Sequence, residues 1–284
     1  PVDMNGTDEN PTAPKPIIDV DAPPPPPTPA VARPRTGYPI ELALRPITLP
    51  ANLAEVSLAV RADASPFAST AALRARYGIT AKVELGLTYV IGGVFDDPAT
   101  TTEHKQAFHP GKALGLDATV MIEDWIGVRA GVPIYLSPLG VSLALGAPIK
   151  FTFADRFAIG GLDDLLNIRL TKFAPTFYQE VQNATNAAND LVNTVRSAGE
   201  LRFSFFGIYQ RDADLAITAR LGVQMENFSS GKTDGCAGEC ATTFLHAGVS
   251  YSPRPAVDLG LSIGFDDLAH GGTFAPQGWL AVRI

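Results

Sequence analysis

From about residue 55 onward the chain repeats one pattern, in which apolar and polar positions alternate with a period of two over segments of roughly ten residues. In VELGLTYVI, Val83, Leu85, Leu87, Tyr89 and Ile91 share one face, and Glu84, Gly86 and Thr88 share the other. ALGLDATVMI sets Leu114, Leu116, Ala118, Val120 and Ile122 opposite Gly115, Asp117 and Thr119. The pattern recurs in WIGVRAGVPIYL, GVSLALGAPIKFTF, LAITARLGVQM, FLHAGVSYS, VDLGLSIGF and WLAVRI. It predicts β-strands with one aliphatic face and one small, polar or charged face. A soluble sandwich alternates in the same way, so the pattern alone does not choose between water and lipid.

The connections do choose. Short polar turns fall at 78–81, 123–124, 154–156, 210–214 and 252–256. The alternate connections are mostly longer, at 95–111, 170–199, 226–242 and 267–276, with shorter ones near 64–69 and 137–140. Short turns on one rim and long loops on the other are how outer-membrane barrels are built, the short side toward the periplasm and the long side outside. The segments so separated number about twelve, an even count of the kind such barrels use.

Aromatic placement is an independent indication. Tyr77, Trp125, Phe153, Phe157, Tyr209 and Tyr251 sit beside the short turns, and Tyr89, Phe95, Tyr135, Phe228, Phe265 and Trp279 near the opposite strand ends. Amphipathic rings favour the headgroup level, so two belts are expected of a wall surrounded by lipid. The last segment keeps Leu280, Val282 and Ile284 on one face, as a closing strand would, although Ile284 stands where such barrels commonly carry Phe. The expected fold class is all-β: a transmembrane, antiparallel, up-and-down β-barrel of about twelve strands over residues 55–284.

Composition fits this. Hydrophobic residues make up 46% of the 284 positions and charged residues 18%, less than the roughly 25% charged content of soluble domains. No stretch approaches the roughly 20 apolar residues of a membrane helix. The net charge of -7 argues against a nucleic-acid partner, which calls for a basic face. Residues 1–37 are rich in Pro, Asp, Thr and Ala, including the run Pro23 to Pro27, and predict a disordered, polyproline-like tail. Residues 38–54 form a lead-in to the barrel. The first residues lack a charged start and an apolar core, which is the expectation for a chain whose export signal has been removed.

One connection has a different period. Phe177, Val181, Ala184, Ala188, Leu191 and Val195 follow a three-four spacing, with a capping-box spacing at Thr176 and Gln179 and a stop at Gly199. They predict a helix over 176–198, inserted in a long extracellular loop, whose stripe must be covered by the barrel mouth, by other loops or by a second copy. Cys236 and Cys240 lie in a Gly-rich polar segment. In an oxidising compartment a small-loop disulfide is the favoured state, with free thiols and metal or redox chemistry as alternatives.

RPITLPANLAEVSLAV (Arg45 to Val60), RYGITAKVELGL (Arg76 to Leu87) and the terminal strand resemble the transporter-like outer-membrane barrels of Gram-negative bacteria, particularly those of the myxobacterial type. The resemblance covers about residues 45–284 and is one of style. It implies the outer membrane and this architecture, and carries no functional residues over.

With the aliphatic face toward lipid, the lumen set is Arg61, Arg74, Arg76, Glu84, Asp117, Arg129, Lys150, Arg202, Arg220, His246, Asp258 and Arg283. Two readings follow. Rings of Arg and Lys raise the local anion concentration, giving a passive channel for small, anionic solutes. Alternatively the arginines pair with Glu84, Asp117 and Asp258 and fill a closed structural or adhesion barrel. Acidic residues gather on the long-loop side, at Asp96, Asp97, Glu103, Glu226, Asp234, Glu239, Asp266 and Asp267, a rim suited to lipopolysaccharide with divalent cations, although no interval matches a calcium loop. Catalysis is not expected: His246 and Ser250 share one face but lie about 13 Å apart along a strand. His104, His109 and His270 have no metal-ligand spacing, and no cofactor motif occurs. The expected partners are outer-membrane lipid and lipopolysaccharide, with periplasmic or cell-wall components reached through the tail.

Overall fold

A computed structural model describes residues 37–64, 67–96, 106–136, 139–170, 199–226, 228, 241–268 and 274–284. The expected tail, the expected helix at 176–198, and Cys236 and Cys240 lie outside the described residues. The first strands are β1 (Ala54–Ala64), β2 (Phe67–Thr80) and β3 (Val83–Asp96). β4 runs as Gln106–Pro110 continued by Ala113–Glu123, and β5 is Ile126–Leu136. β6 runs as Leu139–Gly146 continued by Ile149–Phe153, and β7 as Phe157–Gly161 continued by Leu166–Arg169. The rest are β8 (Gly199–Gln210), β9 (Leu215–Glu226), β10 (Ala241–Arg254), β11 (Val257–Phe265) and β12 (Gln277–Arg283).

Each strand pairs antiparallel with the next, and β12 returns to β1 in the register Glu55 to Arg283 and Arg61 to Gln277. Ala54 and Ile284 extend this seam by exchanging backbone bonds of 3.0 and 2.9 Å. The fold is therefore a closed, twelve-stranded antiparallel barrel.

Two of the three breaks within strands, those in β6 and β7, have evident local causes. At 147–148 Pro148 has no N–H to give the ladder, while its carbonyl still accepts from Gly127 at 2.9 Å. At 162–165 Leu162 takes a φ of 59°. The chain there passes so close to Gly146 that a Cβ on that glycine would meet the Asp163 carbonyl oxygen at 1.9 Å. The detour carries Asp163 and Asp164 to the inner cavity.

The distribution of polarity is the reverse of a soluble protein's. Leu87, Leu116, Ile159, Leu221, Leu261 and Ile263 are exposed on the outer wall, Leu261 at 65%. Glu84, Thr119, Ser204 and Ser250 are buried inside at 2% or less. Near the short turns Tyr77, Trp125, Phe153, Phe157, Tyr209 and Tyr251 are all exposed, and Trp125 stacks on Phe151 and Phe157 on Tyr209. Tyr89, Phe228 and Phe265 are exposed near the other rim. Trp279 departs from the expected belt. Leu280 and Val282 face out, so the alternation turns Trp279 inward, where it lines the lumen. Gly260 makes room for it: a Cβ there would sit 1.9 Å from the indole.

The lead-in does not stay outside the wall. Residues 37–53 contain one short 3-10 turn, Leu42–Leu44, and run into the bore at the short-turn end. Ala43 and Leu49 are 0% exposed there.

Candidate channel lumen

Alternation places one side chain in two inside the ring, and the twelve candidate lumen residues fall into two adjoining cavities. The first, of about 410 Å³, is lined by Arg61, Arg74, Asp117, Arg129, Arg202, Arg220 and His246. The second, also about 410 Å³, lies toward the short turns and is lined by Arg76, Lys150, Asp258 and Arg283, again with Arg74 and Arg129. Glu84 sits against the second, 1% exposed behind Arg76. Arg74, Arg129 and Asp163 line both cavities and stand between them.

Most of these charges are paired across neighbouring strands. In the first cavity Arg74 meets Asp117 at 2.9 Å, and Arg129 donates to Thr119 at 2.9 Å with Asp117 3.8 Å away. Arg61 pairs with Asp63 at 2.9 Å and with Asp266, and His246 lies 3.0 Å from the same Asp266. Arg220 donates to Ser204 at 2.8 Å, and Arg202 lies over the Phe244 ring at 4.6 Å. In the second cavity Arg76 bridges Glu84 at 2.6 Å and Glu55 at 3.1 Å, and Arg283 bridges Glu55 at 2.7 Å and Asp258.

Charge balance distinguishes the cavities. Arg61, Arg74, Arg129, Arg202 and Arg220 in the first are matched by Asp117, Asp163, Asp164, Glu200 and Asp266. Apart from Arg74, Arg129 and Asp163, which are already counted in the first, the second has Arg45, Arg76, Lys150 and Arg283 against Glu55, Asp258 and, behind Arg76, Glu84, an excess of one cation. Among the described residues Lys150 has no carboxylate partner; its ammonium donates to the carbonyls of Leu42 and Arg45 at 3.2 and 2.6 Å.

Several lumen groups escaped the sequence reading. Glu55 and Asp63 stand on the inward phase of β1, and that phase was the available signal. Asp266 was grouped with the acidic rim but lines the lumen. Asp163 and Asp164 lie in a strand break, and Arg45 lies in the lead-in, where alternation says nothing. Arg45 is held by Asp258 at 2.6 and 2.9 Å, by Ser252 at 3.0 Å and by the Pro39 and Ile40 carbonyls. Tyr38 packs under both Arg45 and Arg283, at 5.3 and 4.8 Å. Burial pushes its phenol up from the usual tyrosine range, so it meets the two guanidinium groups as a neutral ring. Among the described residues no cluster of His, Cys, Asp or Glu is arranged to hold a metal ion.

No protein-family model matches the chain, and no curated protein matches it. Solved structures do. The NanC porin aligns with a TM-score of 0.51 at 9% identity, over 81% of this chain and 100% of that one. An outer-membrane channel from Pseudomonas putida F1 aligns with a TM-score of 0.53 at 11% identity, over 84% of this chain and 97% of that one. At these identities the likeness is one of fold, and the fold is shared with outer-membrane porins and channels.

Proposed function

We propose that the protein is a passive outer-membrane channel for small solutes that favours anions. The observation that carries this is the reversed wall: leucines and isoleucines exposed outside, paired charges and two adjoining cavities inside. An outer surface this apolar is stable only against acyl chains, and the bore it encloses is polar enough to hold water. The lipid partners are outer-membrane lipid and lipopolysaccharide, with the short turns toward the periplasm and the long loops outside. The porin and channel fold supports transport. The anion preference rests on the second cavity, where Arg and Lys exceed carboxylates by one and the partners of Lys150 among the described residues are carbonyls.

Planar-bilayer recording tests the reading. The expected result is discrete conductance steps, a reversal potential in a KCl gradient on the chloride side, and a shift toward potassium in Lys150→Glu. Silence from correctly folded protein overturns the channel; a potassium-side reversal potential overturns the anion preference alone. A closed structural barrel is the second reading, and the observation that favours it is the lead-in lying across the short-turn end of the bore.

A further inference from the structure

The lead-in has the features of a removable stopper rather than of a core element. Its contacts are spread around the ring: the Leu49 amide donates to Glu84 of β3 at 2.8 Å, and Thr48 to the Ala81 carbonyl in the β2–β3 turn at 2.9 Å. Thr152 of β6 donates to the Ala43 carbonyl at 3.2 Å, the Ala43 amide donates to Gln210 of β8 at 3.2 Å, and Arg45 reaches Asp258 of β11. These contacts are polar, and hydrogen-bonded groups exchange for water at a net cost of about 0.5–1.5 kcal/mol each; the apolar side chains of the segment that are fully buried are Ala43 and Leu49. The two carboxylates that receive the segment also keep partners of their own: Glu84 is paired with Arg76 and Asp258 with Arg283. Withdrawal therefore leaves no unpaired carboxylate in the wall, which is the usual large penalty for breaking a buried ion pair.

A pivot stands at the rim. Asn52 takes a φ of 63°, its amide donates to the Gly78 carbonyl at 2.7 Å, and the Gly78 amide donates to Leu53 at 3.0 Å. Gly78 is needed for this passage, because a Cβ there would lie 2.0 Å from the Pro50 carbonyl oxygen. This anchor is separate from the contacts of residues 43–49, so it holds β1 in the wall whether or not those contacts are made.

We infer that residues 37–49 are a gate: docked, they close the short-turn end of the lumen through Arg45 on Asp258, and undocked, they open it. The inference rests on the channel reading. It is tested in bilayers on the full chain with Cys236→Ser and Cys240→Ser, adding Ala43→Cys and Thr152→Cys joined by a short, reductant-cleavable thiol reagent. Cross-linked protein should be at least about tenfold less often open than the same protein after reduction. Arg45→Ala should raise the open probability about tenfold, and Arg45→Lys by less. Equal conductance before and after reduction overturns the gate and leaves the channel standing. Silence in the native, reduced and Arg45→Ala forms alike, from protein that folds, overturns both.

Discussion

Leu261 gives the sharpest test of what surrounds the barrel. It lies on β11 between Leu259, which is paired with Tyr251 of one aromatic belt, and Phe265 at the other, and its side chain is 65% exposed. In water, an exposed leucine changed to arginine alters stability by about 0.5 kcal/mol or less. In lipid the outcome differs. Full burial of a leucine contributes about 1.5–3 kcal/mol, so the fraction covered only by acyl chains accounts for about 1–2 kcal/mol. The guanidinium must also be accommodated near mid-bilayer, and the total for arginine there is about 2–4 kcal/mol. Leu261→Arg should therefore lose about 2–4 kcal/mol of unfolding free energy, read from reversible urea unfolding in phospholipid vesicles by tryptophan fluorescence. Ile284→Arg at the rim should lose no more than about 1 kcal/mol. A Leu261→Arg protein as stable in vesicles as the native one would refute lipid contact, and the channel with it.

Two further substitutions probe the interior. Gly260→Ala places a methyl against the Trp279 indole and should cost about 1–3 kcal/mol, with a shift in Trp279 emission; an unchanged spectrum would mean the indole is not held there. Glu84→Ala leaves Arg76 with the Glu55 carboxylate and the Ile47 carbonyl, and the Leu49 amide without its acceptor. It should cost about 3 kcal/mol by urea unfolding and also raise the open probability of the channel, whereas a loss of stability with unchanged gating would detach Glu84 from the docked segment.

What could be read from the sequence follows the period of the chain. Leu73 and Arg74, or Leu116 and Asp117, differ in phase by one residue and so stand on opposite sides of the wall, and turn residues such as Asp124 and Pro255 mark where the phase ends. Trp279 shows the same rule overlooked: the outward phase of Leu280 and Val282 already turned it inward, but its position near a strand end suggested a belt. The stopper had no such signal. Arg45 and Asp258 are 213 residues apart, and RPITLP reads as an extended, proline-punctuated connection whichever side of the wall it follows. The detour at 162–165 was equally silent, because it depends on Gly146 in a neighbouring strand leaving space for it.

The seam between β1 and β12 bears on how the protein is assembled. The ring of hydrogen bonds is complete only when Glu55 has met Arg283, so every partly zipped species presents two raw strand edges to its surroundings. The segment that crosses the bore is joined directly to the first of those edges. It therefore needs no threading through a finished wall, whether it docks before or after the last strand closes the ring.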